Sequence, residues 1–571
     1  MTRQFTASAS FNGFSVKAYA GDRCVMLAFN LDDDKTDLLA GFSIASRRAG
    51  QPEWVYLGNR IGFAGDYTNP AASKNGKFFS SDTDPYQKFW WLDFPADADF
   101  GSREYQVTVK RFKSSDSAEL ANDQQVQLAI DVSPFVDGNI ELGFTRGYLS
   151  SQAYADTFQN ASYTPKTAKG DWKADTSGLQ AQWAWLGGHA RQAVIDFFID
   201  CHNTPDCTID AFVYDLNEPD IINALITLAP NLRILADDAS LHAAGTAAAQ
   251  AYDDIVAAGA TGQRGHFSRF QHNKVLIKKV GGVAQKVLTG STNFSVTGIY
   301  VNANHVVVFD NAAIAGQYAD TFELAFQSNL KLKGYVADEI SKKEFTFTED
   351  LMPKVVVSYA PHPKPTFSLD NLLAQIKGAQ SSVIFAVMDL DGSSDVLSAL
   401  KTLHADKQIF SYGISDSPDP DNVTVNGTTL YTPKNKSGEL IFSKADPETF
   451  PPPFGKELQV TGGAAHVIHH KFVVVDFNGP VPAVFCGSSN LANGGEEQNG
   501  DNLIAIYDSA IATAFAIEGI RLVDHYAFAA ALKGAKTSTT PLALKTDADK
   551  WWEIYYQDGS IKQTERKLFA A

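Results

Sequence analysis

Two short stretches carry residue types that act on phosphate when brought together. At 469–476 the chain reads HHKFVVVD, followed by GSSN at 487–490. At 272–279 it reads HNKVLIKK, followed by GSTN at 290–293. A shift of 197 residues superposes the two without a gap. His272 then falls on His469, Lys274 on Lys471, and Asn302 on Asn499, while Gly290, Ser291 and Asn293 fall on Gly487, Ser488 and Asn490. Most other positions differ, so the kept residues are not a by-product of low divergence. One His-x-Lys is weak evidence; two in one register, each followed at equal distance by Gly-Ser-x-Asn, mark an internal duplication.

The spacing suggests a chemistry. Residues i and i+2 of a strand share a face, so each histidine points the same way as its lysine. The apolar residues that follow, Val275 to Ile277 and Phe472 to Val475, bury the strand in a core. Gly-Ser-x-Asn ends the next strand, where small residues let a substrate approach and the amides of Asn293 and Asn490 donate hydrogen bonds. Ser291, Ser488, Asn302 and Asn499 are expected to line the substrate. Two imidazoles, two ammonium groups and two amides around one point suit a phosphodiester. The cations and amides stabilise charge on the non-bridging oxygens while one imidazole attacks and the other handles the proton. No Cys/His/Asp cluster has metal-ligand spacing, and no phosphate-binding P-loop is present, so neither a metal nor a nucleotide cofactor is expected.

These motifs resemble the phospholipase D superfamily in the form that carries both half-sites on one chain, over roughly residues 180–530. The resemblance implies two pseudo-symmetric α/β domains with mixed sheets and helices on both faces, an active site at their interface, no metal, and a covalent phosphohistidine. In that superfamily a carboxylate after Gly-Ser-x-Asn orients the histidine of the opposite half. The second half has Asp501 there and the first has Asn304. By this resemblance Asp501 serves His272 as nucleophile, and His469 acts as general acid and then base. The aspartate closing the second motif, Asp476, is Lys279 in the first. Position i+7 of a strand faces away from the histidine, so Asp476 is expected to be structural.

The elements that must position these groups fall into three regions. Residues 1–134 alternate in the manner of strands, with Tyr105, Val107 and Val109 on one face and Val126, Leu128, Ile130 and Val132 on another. They read as an accessory β-sandwich of immunoglobulin-like size. Helix and strand signals then alternate at about 189–236 and again at 369–416, which predicts mostly parallel sheets covered on both faces. The expected divisions are 135–340 for the first half-site domain and 341–571 for the second with its C-terminal tail. The tail aromatics at 549–559 are expected to dock onto the core.

Composition narrows the partners. The formal net charge of −17 over 571 residues repels a polyanion at long range. No apolar run is long enough to span a membrane, the opening residues carry no signal-peptide core, and four cysteines make no disulfide framework. A cytoplasmic monomer is expected, since one chain completes the site. The leading expectation is hydrolysis of phospholipid head groups, with transfer to an alcohol as a variant. Phe450 and Phe454 in the loop ETFPPPFG, 448–455, read as packed turn residues or else as an apolar lip for peripheral membrane contact. One rival is a nuclease with the same chemistry, which needs a basic groove for which Lys278, Lys279, Lys286 and Arg264 are the candidates. The other is a non-catalytic phosphate-binding module.

Overall fold

The computed structural model describes residues 3–63, 79–96, 100–147, 151–348, 352–390, 395–404, 409–416, 423–425, 428–431, 467–537 and 543–571. The proline-rich loop 448–455 lies outside them.

The N-terminal region is all β. One antiparallel sheet has the order Thr6–Phe11, Phe14–Ala20, Val25–Leu31, Trp90–Asp93, and the other the order Leu120–Asp131, Ser102–Phe112, Leu39–Arg48, Val55–Tyr56. The alternation read from sequence is the alternation that buries. Tyr105, Val107 and Val109 join Val126, Leu128 and Ile130 from the neighbouring strand, and Val16, Leu27 and Phe29 from the facing sheet, in one core. The C-terminal aromatics complete that core. Trp551 and Tyr555 pack on Phe89 at 5.7 and 4.8 Å, the Trp551 indole donates to the Leu39 carbonyl (3.0 Å), and Glu565 accepts from the Trp90 indole (2.9 Å).

The rest is mixed α/β, built on two large sheets. The first runs Phe135–Asp137, Ile140–Phe144, His305–Phe309, Val283–Gly290, Val275–Val280, Cys207–Val213, Leu232–Ala236, Thr261–Arg264. The second runs Phe345–Phe347, Lys354–Ala360, Asn499–Tyr507, Ala483–Gly487, Lys471–Val475, Ser382–Val387, Phe410–Ser415, Thr428–Tyr431, Val423–Val425. The expectation of mostly parallel sheets is corrected here. Among the described residues, parallel pairing is found between strands joined by helices, Cys207–Val213 with Leu232–Ala236, that strand with Thr261–Arg264, and Ser382–Val387 with Phe410–Ser415, and between the short strand Phe270–Gln271 and Asn499–Tyr507. The motif strands are antiparallel to the neighbours on both sides. Val280 and Val283 are linked only by Gly281 and Gly282, both at positive φ (56° and 85°), as a two-residue hairpin turn requires. Val275–Ile277 and Phe472–Val475 are buried, so each motif strand is fixed by its core.

Asp476 caps the start of a strand rather than facing the histidines. Its carboxylate accepts from the backbone N–H groups of Gln380, Ser381 and Ser382 at 2.8–3.2 Å. In the first half Lys279 pairs with Asp210, which also holds Arg233 (2.7 Å). The same position thus ties down the neighbouring strand in both halves, with opposite charge.

Candidate active site

The two halves hold each other's histidines through the backbone. The N–H of His272 donates to the carbonyl of Gly500 (2.9 Å), and that of His469 to the carbonyl of Ala303 (3.1 Å). Gln271 pairs with Gly500 and Ile468 with Ala303, so the contact repeats under the 197-residue shift. Two carboxylates at the ends of neighbouring strands brace these segments. Asp237 Oδ2 accepts from the N–H of Gln271 (2.7 Å) and Asp416 Oδ2 from that of Ile468 (2.9 Å).

The side chains cross over as well. His272 Nδ1 meets Asp501 Oδ1 at 2.7 Å, and His469 Nδ1 meets Asn304 Oδ1 at 2.8 Å and the carbonyl of Ser291 at 3.1 Å. All these partners accept, so each ring carries its proton on Nδ1 and presents Nε2 as its basic nitrogen. Both histidines are buried, as are Lys274, Lys471 and Asp501. Each lysine reaches back to the carbonyl of its own motif histidine, Lys274 to His272 and Lys471 to His469. Lys274 lies over the Tyr214 ring (4.6 Å) and Lys471 against the Met388 sulfur (3.4 Å).

Burial sets the protonation equilibria. It pushes Lys274 down to about 8, with Asp501, Asp215 and Asp237 opposing. Lys471 is held well below the usual lysine range by burial and then by Lys274. The His272 pKa is lowered by burial and by Lys274, against the pull of Asp501. His272 is therefore neutral at pH 7, as a nucleophile must be.

Some expected ligands have other work. Ser291 and Ser488 were placed against substrate by their position, but both are fully buried and their hydroxyls are committed. Ser291 donates to Asn304 Oδ1 and Ser488 to Asp501 Oδ1, both at 2.8 Å. They hold the groups that hold the histidines. The amide nitrogen of Asn293 donates to Asp215. Asn302 gives its carbonyl to Thr145 Oγ1 (2.7 Å). The Oδ1 atoms of Asn293, Asn490 and Asn499 and Oδ2 of Asp501 are buried acceptors with no hydrogen-bond partner, an arrangement that favours a donor at this site. The motif glycines also have a reason. Gly290 and Gly487 sit at φ 142° and 138°, and a Cβ on either would collide with the carbonyl of His305 or Asn502.

Several site residues were not anticipated. His242 bridges Asp237 (2.8 Å) and Asp215 (2.6 Å); burial lowers its pKa, but the two carboxylates outweigh that and raise it to about 9. Tyr214 stands edge-on between the His242 and His272 rings, at 4.5 and 4.7 Å. The dipeptides Tyr214-Asp215 and Met388-Asp389 follow matching strands, Cys207–Val213 and Ser382–Val387. They lie 174 residues apart rather than 197, so the shift that finds the motifs misses them.

Comparison with known proteins finds a family likeness over part of the second half. Residues 372–518, which contain His469, Lys471, Asn490 and Asp501, match the family model described as cardiolipin synthase, PLD-like domain. No curated protein matches the chain. Among solved structures, similarity extends to the phospholipase D family member Nuc from Salmonella typhimurium, at 22% identity over 23% of this chain and 86% of that one (TM-score 0.20). It extends also to phosphatidylserine synthase from Haemophilus influenzae, at 13% over 67% of this chain and 90% of that one (TM-score 0.38). Polyphosphate kinase from Porphyromonas gingivalis is 13% identical over 64% of this chain and 51% of its own (TM-score 0.37).

Proposed function

With the phospholipase D-like domain of residues 372–518 as premise, we propose that the chain is a metal-independent phosphodiesterase whose site is shared between its two halves. The observation that carries this reading is the crossed pairing of His272 with Asp501 and His469 with Asn304. His272 Nε2 attacks phosphorus, and the bond to the leaving oxygen breaks as His469, which enters the cycle as the imidazolium with a second proton on Nε2, supplies that proton. His469 then takes a proton from water, whose oxygen attacks the phosphohistidine and returns His272 to its neutral form. Lys274 and Lys471 face the charge that develops on the non-bridging oxygens. Asp501 stabilises the positive ring of the intermediate.

The favoured substrate is a phospholipid head group or a comparable small diester. The lysines that a nucleic-acid groove would need are engaged in ion pairs: Lys278 and Lys286 with Asp200 (2.7 and 2.8 Å), and Lys279 with Asp210. Around the two site lysines stand Asp215, Asp237, Asp389, Asp416 and Asp501, an unfavourable setting for a polyanion. A cytoplasmic monomer remains part of the proposal. Among the described residues no helix is long and apolar enough to cross a membrane.

The test is to trap the intermediate. The protein is mixed with phosphatidylcholine vesicles in EDTA, quenched in alkali and digested for mass spectrometry. An acid-labile adduct on the peptide containing His272 is expected. An adduct on the His469 peptide would reverse the two roles. Phosphate binding without any adduct would leave a binding module, and an adduct formed only with an oligonucleotide would make the protein a nuclease.

Activity should follow a bell in pH. The acid limb reports deprotonation of His272, so turnover rises with pH through a value below 6.5. The alkaline limb reports loss of the Lys274 proton near pH 8, above which phosphate charge is less well met. Lys274→Arg stays charged and should move the alkaline limb of kcat/KM upward.

A further inference from the structure

Behind His469 two further histidines lie face to face in the core. His305 Nδ1 and His470 Nδ1 stand 3.2 Å apart, the rings are stacked at 5.4 Å, and both residues are fully buried. Phe144, Phe472 and Phe515 pack edge-on against the pair. The charged groups that act on it are Glu518 and Arg521, from the long helix Ser509–Thr537, and Lys471, from the motif strand. Burial lowers the pKa of both rings, against the pull of Glu518 on His470, so each is neutral at pH 7 and carries one proton.

The two ends of the pair agree on where those protons sit. Glu518 accepts from Arg521 (2.6 Å) and from His470 Nε2 (3.2 Å). A carboxylate only accepts, so His470 is protonated on Nε2 and its Nδ1 is a bare acceptor. His305 must then donate from Nδ1, which leaves its own Nε2 without a proton. That nitrogen is buried with no hydrogen-bond partner among the described residues, so this tautomer strands no N–H donor in the core.

From His305 the chain runs to the active site. Ser291 Oγ accepts from the backbone N–H and from Nδ1 of His305, both at 3.1 Å. With both lone pairs occupied, its one proton goes to Asn304 Oδ1 (2.8 Å). Asn304 Nδ2 donates to the carbonyl of Gly298 (2.8 Å), so Oδ1 is the atom turned to His469 Nδ1. The same order recurs behind His272. Under the 197-residue shift Asn502 stands for His305, Asn273 for His470 and Ser488 for Ser291. Asn502 Nδ2 donates to Asn273 Oδ1 (2.9 Å), its backbone N–H donates to Ser488 Oγ (3.0 Å), and Ser488 donates to Asp501 (2.8 Å). One half builds the chain from amides, the other from imidazoles that end on a carboxylate.

We propose that Glu518, His470 and His305 are positioning residues for His469, an inference that rests on the phosphodiesterase reading above. The carboxylate fixes the tautomer of both rings, His305 fixes the Ser291 hydroxyl, and Ser291 fixes the Asn304 side chain that turns His469 Nε2 to the substrate. An amide passes no proton, so the chain orients His469 and carries no proton away from it. Asp501 orients His272 directly; His469 receives its orientation through this chain.

Stopped-flow release of p-nitrophenolate from bis(p-nitrophenyl) phosphate separates the two steps. The first equivalent reports attack by His272, and the later rate reports the hydrolysis that needs His469. His305→Leu removes the donor; it is expected to release the first equivalent as fast as the wild type and then turn over roughly tenfold more slowly. His305→Asn keeps an N–H at the Nδ1 position, as Asn502 does in the other half, and should stay within about threefold of the wild type. Both steps falling together in His305→Leu, or equal turnover in His305→Leu and His305→Asn, would overturn the proposal. Nitrogen NMR of histidine-labelled wild type reads the chain without turnover, with peaks assigned from His305→Asn and His470→Asn. His470 should be protonated on Nε2 and His305 on Nδ1, and the opposite tautomers would overturn the proposal even in an active enzyme. The expected tautomers in a wild type that releases no p-nitrophenolate would instead remove the phosphodiesterase reading, and the positioning role with it.

Discussion

His272→Ala should release no p-nitrophenolate from bis(p-nitrophenyl) phosphate in EDTA, with turnover reduced at least ~10³-fold, whereas His469→Ala should release about one equivalent and stop. The difference follows from the division of labour. Removing His272 takes away the atom that bonds to phosphorus, and nothing else near the site replaces it. Removing His469 takes away a proton donor that a weakly basic leaving group hardly needs, so the first step survives on this substrate. Hydrolysis of the phosphohistidine does need a base to activate water, and it stalls. On a substrate with an alkoxide leaving group, such as a lipid head group, His469→Ala should lose the first step as well. A burst in His272→Ala and none in His469→Ala would exchange the two assignments. Equal, small losses in both would remove the two-histidine site altogether. Both rings are buried, so each variant is compared with the wild type by thermal unfolding to separate lost chemistry from lost fold.

Much of this site was legible because its key parts recur. His272 and His469 share one register with their lysines and with Gly-Ser-x-Asn, and the structure joins what the register relates. The pairing of Asp501 with His272 was also readable, from the single aspartate-for-asparagine difference between the halves. The Gly-Ser-x-Asn serines were misplaced because a hydroxyl beside a phosphate site and a hydroxyl beneath its orienting carboxylate leave the same sequence pattern. Only burial distinguishes them. Asp215, Asp237 and His242 escaped because they lie on strands and turns whose spacing to the motif varies between the halves, with His242 in a short turn, Ser240–His242, after Leu232–Ala236. In the fold, the period-two strands of the sandwich were readable because one face is buried and one is not. The strand directions of the large sheets were not. Alternating helix and strand signals predict parallel neighbours, while the Gly281-Gly282 turn shows that the motif strands return on themselves.

Asp501→Asn should lower kcat about 10²–10³-fold with little change in Tm, and its reciprocal, Asn304→Asp, should cost far less at neutral pH. Asp501 is buried and bears on three groups at once. It accepts from His272 Nδ1 (2.7 Å) and from Ser488 (2.8 Å), and it opposes the lowering of Lys274 and Lys471 by burial. An asparagine keeps the shape and one acceptor but removes the charge. The phosphohistidine ring, which is cationic, then loses its counter-charge as it forms. The protein itself loses little, because a buried carboxylate brings a desolvation cost that disappears with it. The sign of the pH effect separates this electrostatic role from a purely structural one. Asp501 raises the His272 pKa against burial, so its removal lowers that pKa further. The acid limb of kcat/KM should therefore move to lower pH in Asp501→Asn even as the plateau falls. In Asn304→Asp the new carboxylate faces His469 Nδ1, while the carboxylate beneath His272 stays in place. Carrying both substitutions together places the charge under His469 alone. If the burst on bis(p-nitrophenyl) phosphate then depends on His469 rather than His272, the carboxylate decides which histidine attacks. If the burst still requires His272, that choice is fixed by the strands and not by the charge.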